Sequence, residues 1–181
     1  INSMLDGIKK VNAKNVYILP NNGNVILAAN QAKDLVNSNV IVIPTTTPTE
    51  GISAMLGYNE ESSPTENKKN MTASFAGMKT IEITKAVRDV RMNHMSVKIG
   101  DYIAVSGKTL LAKGDDVNEV AFQSIKKIFD DHSVISIYFG KEMSRSEGEE
   151  LSAKLTQEFD DIEVSVLSGG QNHYHYIISV E

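Results

Sequence analysis

The sequence predicts an α/β chain with largely parallel sheet, arranged as two small lobes. Short, near-continuous Val/Ile runs (NVYIL, VIVI, VISIYF, IEVSVL) alternate with segments of helical period, the pattern of strands covered on both faces by helices. The first two strands each stop at a proline, Pro20 and Pro44, and release polar loops. Residues 1–80 are expected to form one α/β lobe and 81–181 the second, either as separate lobes or around one shared sheet.

Each element has a local reason. In INSMLDGIKKVNA the residues Met4, Leu5, Ile8 and Val11 share a helical face, and NVYILP follows as a buried strand. Asn21, Asn22, Gly23 and Asn24 make a turn, NVILAANQAKDLVN carries good helix formers, and VIVIP is the next strand. The loop TTTPTEG offers Thr47 or Thr49 as a cap for the helix GISAMLGY. Residues 59–70, NEESSPTENKKN, are polar and Pro-broken and read as an exposed loop leading into a helix at MTASFAGMKT. IEITKAV opens a β-rich stretch in which VKIGDYIAVSGKTLLAKG reads as two strands turning at Ser106-Gly107. DDVNEVAFQSIKKIFDD is an amphipathic helix capped by Asp115 or Asp116, and VISIYFG is the next strand. Ser144 three residues before Glu147 forms a capping box for the helix through residue 159. The strand IEVSVL, the turn SGGQN and the strand HYHYIISVE complete the chain.

Composition removes several function classes. With no Cys among 181 residues there is no disulfide framework, thiolate nucleophile or cysteine metal site. Apolar runs of five or six residues fall far short of the ~20 that span a bilayer, so no membrane span is expected. The formal net charge is −5, with 8 Lys against 7 acids in residues 1–85 and 10 bases against 16 acids in residues 86–181. The pI of about 5.4 and the dilution of bases by acids exclude a nucleic-acid partner. The chain opens on Ile1 and is expected to be part of a longer protein.

The remaining chemistry is sparse. Neither GxxxxGK[ST] nor GxGxxG occurs, so no nucleotide-cradling loop is present, and no GxSxG elbow exists. In open α/β sheets ligands collect outside the carboxyl ends of strands, which singles out PNNGN and PTTTPTEG. There Asn21, Asn22, Asn24, Thr45, Thr46 and Thr47 offer neutral donors and acceptors, equally suited to a ligand and to turn and cap bonding. Arg88, Asp89 and Arg91 are expected to take part in a structural, interdomain ion pair, with anion positioning as the alternative. His173 and His175 alternate with Tyr174 and Tyr176; on a strand the imidazoles would share a solvated face opposite the phenols. Two histidines without a third ligand do not make a metal site. A binding or docking module therefore ranks above an enzyme.

The strings LPNNGNVILAANQA, VIPTTTPTEGISAML, NMTASFAGMKTIEITKAVRDV, GDYIAV, FGKEMS and SGGQNHYHYIISVE run in order over essentially the whole chain. Together they resemble the C-terminal region of the ATP-binding subunit in the dihydroxyacetone-kinase-like fatty acid kinase family of Gram-positive bacteria, staphylococcal members in particular. The resemblance implies a DegV-like fold of two α/β subdomains, similar to the fatty-acid-binding partner subunit. It implies no catalytic residue, metal or cofactor in this chain; ATP and magnesium are expected in a kinase domain outside it. The implied work is to dock the fatty-acid-binding subunit in the cytoplasm, so that the kinase domain converts the bound fatty acid to acyl phosphate for phospholipid synthesis. The full-length protein is expected to dimerise through regions outside this chain. A small-molecule or acyl-chain binding module is the alternative.

Carried over by motif, Asn21, Asn22 and Asn24 match the family's PNN.N loop, Arg88 and Asp89 its T.AVRD segment, and Gly169, Gly170 and Gln171 its GGQ turn. With Thr45 and Thr46 these are the partner-binding candidates. Many relatives carry Lys-Ser and a Gln in the loop after the second strand, where this chain has TTTPTEG with Glu50, which argues against phosphate binding there. Asn172, His173 and His175 replace a proline and tyrosines after GGQ and read as local variation.

Overall fold

The computed structural model describes residues 1–181. The chain divides into two compact units, Ile1–Gly77 and Met78–Glu181.

In the first unit, α1 (Asn2–Val11) leads into β1 (Asn15–Ile18), a 3₁₀ turn (Gly23–Val25) and α2 (Ile26–Lys33) into β2 (Asn39–Val42), and α3 (Pro48–Leu56) and α4 (Pro64–Ala73) follow. The strands β1 and β2 pair in parallel, Val16 opposite Val40 and Ile18 opposite Val42. Because successive side chains point to opposite faces, this two-stranded sheet is apolar on both. Val16, Ile18, Val40 and Val42 pack with Ile8 of α1 and with Ala29 and Ala32 of α2. Tyr17, Leu19, Ile41 and Ile43 pack with Ala54 of α3 and with Met71 and Phe75.

The expected loop over residues 59–70 is shorter than its composition suggests. Helix α4 starts at Pro64, where Ser63 and Glu66 form a reciprocal capping box with proline in the first turn. Pro64 therefore starts a helix rather than breaking one, as proline does at the first helical position.

The second unit holds β3 (Lys79–Lys85), β4 (Val90–Met92), β5 (Met95–Val97), β6 (Tyr102–Ser106), β7 (Thr109–Gly114), α5 (Val117–Ile128), β8 (Val134–Phe139), α6 (Arg145–Glu158), β9 (Glu163–Ser168) and β10 (Tyr176–Val180). Six strands form one sheet in the order β7-β6-β3-β10-β8-β9. The expectation of largely parallel sheet fails here: every neighbouring pair is antiparallel except β8 and β9. A two-residue connection at Gly107-Lys108 closes β6 on β7, since Ser106 faces Thr109, and such a loop permits only antiparallel pairing. β10 enters the middle of the sheet antiparallel to both neighbours, so only the crossover through α6 leaves a parallel pair.

Helices α5 and α6 cover one face. Ile81, Ile83, Ile135, Ile137, Tyr176 and Ile178 pack there with Val120, Ala121, Ile125, Leu151 and Leu155. The caps fall at Asp116, whose side chain accepts from Glu119 N, and at the Ser144–Glu147 box. The small hairpin β4–β5 turns on Asn93 and His94, both with positive φ, the geometry a two-residue hairpin favours and Asn supplies readily. Its Met92, Met95 and Val97 pack with Ala86, Ile103 and Leu110.

Candidate functional site

Parallel pairing of β1 and β2 sets their carboxyl ends side by side and brings the two polar loops of the first unit together. Asn21 N donates to Thr45 Oγ1 at 3.0 Å, and Thr45 is fully buried. Asn21 holds φ of 53°, a left-handed conformation that asparagine tolerates better than most residues. Asn22 Oδ1 accepts from Asn24 N at 2.9 Å, capping the 3₁₀ turn. Thr47 caps α3 by accepting from Glu50 N at 3.2 Å. The Glu50 carboxylate returns over the helix start and accepts from Thr46 Oγ1 at 2.8 Å and from Thr46 N. Asn21 lies against Gly51, where a Cβ would come within 2.3 Å of Asn21 Oδ1. That oxygen is buried without a hydrogen-bond partner. Asn21, Asn22, Asn24, Thr45 and Thr46 thus do assemble; the Asn21–Thr45 bond knits loop to loop, and the others shape each loop from within. The helix start, where an anion is favoured, already faces the chain's own carboxylate.

Arg88, Asp89 and the GGQ turn belong to the second unit, and strand direction gathers them at one end of its sheet. The carboxyl ends of β3, β8 and β9 lie there with the start of β10. Thr84 Oγ1 donates to His173 O at 2.7 Å, joining the segment before Arg88 to the segment after the turn. The turn is latched onto the end of β8: Gly169 N donates to Phe139 O at 2.9 Å, Gln171 Nε2 to Tyr138 O at 2.9 Å, and Lys141 N to Gln171 O at 2.9 Å. Gly170 takes φ of 69°, which explains a glycine there.

Arg88, Asp89 and Arg91 form no ion pair with one another. Asp89 Oδ1 instead accepts from Ile99 N at 2.7 Å, closing the base of the β4–β5 hairpin, because a backbone amide lies nearer than either guanidinium. Asp101 reinforces that base by accepting from Lys98 N at 2.9 Å, a bond that, ahead of Lys113, holds its carboxyl below the usual range. Asn93 Oδ1 takes Leu110 N at 2.8 Å. Arg88 and Arg91 are left exposed, beside Val87 and Ile99, which are 84% and 68% exposed.

The expected solvated histidine face is not found either. His173 is exposed, but His175 is only 7% exposed. His175 Nε2 meets Glu142 Oε2 at 3.0 Å, and its ring stands edge-on to Tyr102 with centroids 5.1 Å apart. Lys85 Nζ lies 4.9 Å from the centre of the Tyr102 ring. Sequence reasoning singled out His175 but missed Glu142, Tyr102 and Lys85, which no spacing connects to it. Beside them burial raises the pKa of Glu82, whose charge in turn raises that of Tyr174. No helix is long and apolar enough to cross a membrane.

Comparison with known proteins places this geometry. Residues 1–181 match the FakA-like C-terminal family of fatty acid kinase subunits. Protein YloV of Bacillus subtilis is 34% identical over 179 residues, covering 98% of this chain and 32% of that protein. The uncharacterized protein SH1689 of Staphylococcus haemolyticus is 31% identical over 175 residues, covering 96% of this chain and again 32% of that protein. The chain therefore spans about a third of the length of these curated relatives. Among solved structures, the fatty acid kinase B3 protein of Streptococcus pneumoniae, loaded with linoleic acid, has a TM-score of 0.68 at 12% identity, over 99% of this chain and 75% of that one. A fatty-acid-binding DegV family protein of Thermus thermophilus has a TM-score of 0.66 at 10% identity, over 99% and 76%. These two likenesses are of fold alone, and the fold is DegV-like. Fold and sequence agree, and the chain belongs to the FakA-like C-terminal family of fatty acid kinase subunits.

Proposed function

We propose that this chain is a non-catalytic docking domain through which a larger kinase subunit engages a fatty-acid-carrying partner. The kinase chemistry, transfer of a phosphoryl group to the carboxylate of the bound fatty acid, would be carried by a domain outside these residues that holds ATP and magnesium, with the complex working in the cytoplasm and feeding phospholipid synthesis. Family membership supports the kinase context, and one surface observation carries the docking reading. Arg88 and Arg91 are exposed without an ion-pair partner beside exposed Val87 and Ile99, on a hairpin whose base is closed by Asp89 and Asp101. Exposed cations with apolar neighbours suit an acidic face on a protein partner, where Arg is favoured and charge sets on-rate and register.

The test is calorimetric titration of the full-length protein with the fatty-acid-loaded partner subunit. The double variant Arg88→Glu/Arg91→Glu is expected to weaken binding by about tenfold or more and to flatten its salt dependence. Unchanged affinity with an intact fold would exclude this face.

A second reading, an acyl-chain binding module, is favoured by the fatty acids that the structural neighbours carry. Against it, Glu50 already faces the start of α3 where a carboxylate would be drawn. Native mass spectrometry of the freshly purified protein is expected to show no acyl ligand; a stoichiometric fatty acid would reverse the ranking.

A further inference from the structure

The charge of the second unit is unevenly placed. Residues 85–113 hold six Lys and Arg against two Asp, whereas the rest of the unit, 78–84 and 114–181, holds six against fifteen Asp and Glu. The fold gathers the cationic stretch into one place. Hairpin β4–β5 lies with Met92, Met95 and Val97 against Ile103, Val105 and Leu110 of β6 and β7. Because side chains alternate across a strand, Arg91 and its cross-strand partner Ser96 stand on the outward face, and Lys98 comes just past the end of β5. A second turn joins them. Asn93 Oδ1 takes Leu110 N at 2.8 Å and so clasps the tip of β4–β5 to the start of β7, two residues beyond Lys108 in the β6–β7 turn. Arg88, Arg91, Lys98 and Lys108 are all exposed, and none makes an ion pair. Both local carboxylates are already engaged: Asp89 accepts from Ile99 N, and Asp101 accepts from Lys98 N and pairs with Lys113.

We infer that these two clasped turns form one cationic surface for an acidic face of the fatty-acid-carrying partner, in which Arg88 and Arg91 anchor the complex while Lys98 and Lys108 steer the encounter. This rests on the docking reading above and adds to it two lysines that no motif marks. The division of labour follows from side-chain chemistry. Arg88 and Arg91 carry planar, weakly hydrated guanidinium groups beside exposed Val87 and Ile99, a setting in which a bidentate bond to a carboxylate is sheltered from water and held. An ammonium stays hydrated on a flexible stem, so Lys98 and Lys108 act mainly through their long-range field. The acidic remainder of the unit sharpens that field. It repels an acidic partner everywhere but at this surface, so orientation is set before contact. The same remainder disfavours an anionic bilayer, and the exposed apolar residues here, Val87, Val90 and Ile99, are aliphatic, without the Trp or Tyr that anchor at a lipid surface.

Stopped-flow association of the full-length protein with the fatty-acid-loaded partner subunit separates the two roles. Lys98→Glu/Lys108→Glu is expected to lower kon by about tenfold at low salt, to leave koff within about twofold, and to lose most of its effect at high salt. Arg88→Ala/Arg91→Ala is expected instead to raise koff by about tenfold. Circular dichroism of each variant confirms the fold. An unchanged kon for the lysine variant, beside a weakened arginine variant, overturns the steering role and leaves the docking reading standing; no effect from either pair rejects both. Two further measurements fix the partner. The protein is expected to stay in the supernatant with phosphatidylglycerol vesicles and to show no self-association that depends on Lys98 and Lys108 in sedimentation equilibrium. Lysine-dependent binding to the vesicles, or lysine-dependent pairing with a second copy, would each overturn the assignment to an acidic partner protein.

Discussion

Gly140→Ala is expected to destabilise the second unit by about 3 kcal/mol and to free the GGQ turn. A Cβ at Gly140 would stand 2.2 Å from Tyr174 O and 2.9 Å from Gln171 O. Both are backbone atoms and cannot rotate away as a flexible side chain would. The crowded segments are those that latch the turn to the sheet, since Gly140 N donates to His175 O at 2.9 Å and Lys141 N to Gln171 O. To admit a methyl group the chain must lift residues 171–174 off the end of β8, breaking these bonds and the approach of Gln171 Nε2 to Tyr138 O. Urea unfolding followed by circular dichroism measures the loss. Gly7→Ala is the matched control, because it lies inside α1 with nothing within 4 Å of the added Cβ and should gain roughly 0.5–1 kcal/mol from helix propensity. Equal stability of the two variants would show that the turn is not held as described.

Tyr176→Ala should cost about 3–5 kcal/mol, the range for emptying a buried aromatic site. Tyr176 is fully buried at the head of the central strand β10, in the cluster beneath α5 and α6. Its hydroxyl donates to Asn118 Oδ1 at 2.8 Å, and Asn118 Nδ2 donates to Glu147 O at 3.0 Å. The phenol thus ties the strand to α5, and α5 to the first turn of α6. Burial, with the nearby Glu147 charge, pushes its pKa far above the ordinary phenol value, so it remains a donor throughout the usable pH range. Tyr176→Phe keeps the ring and removes that donor, leaving Asn118 Oδ1 without its partner. Its expected cost is about 1–2 kcal/mol. The difference between the two variants, read from the same urea curves, separates packing from hydrogen bonding. If Tyr176→Phe is silent, the Asn118 link contributes nothing.

Much of the secondary structure was legible because it is written locally. Ser144 and Glu147 announce a capping box, Asp116 a cap, and the Val/Ile runs their strands, each within a few residues of chain. Misses occurred where a local signal has two meanings. Pro64 opens a helix because Ser63 and Glu66 close a box around it, although the same proline among polar neighbours reads as a loop. The β4–β5 hairpin escaped notice because strands of three residues are too short to show a period, and its Asn93-His94 turn lacks the glycine that usually marks one.

The candidate site divides along the same line. Asn21, Asn22 and Thr45 lie in two loops that parallel pairing must bring together, so the sequence could group them. It could not foresee that Glu50 would fold back onto Thr46, or that the Ile99 amide would take Asp89 and leave Arg88 and Arg91 bare. Nor could it connect His175 with Glu142 and Tyr102. These contacts join residues between 4 and 73 positions apart, and even the nearest depends on how the loop turns.

By itself the sequence determined the alternation of elements, their caps, the absence of cysteine chemistry and of a membrane-length apolar run, and, through its ordered motifs, the family. Only the tertiary structure decided that the six-stranded sheet is antiparallel but for one pair, that the GGQ turn is a latch, and that Asp89 bonds the Ile99 amide. The physical reason is range. Helical period, capping and composition act over a few residues, whereas strand partners are chosen by hydrogen bonds and burial that exist only once distant segments have met.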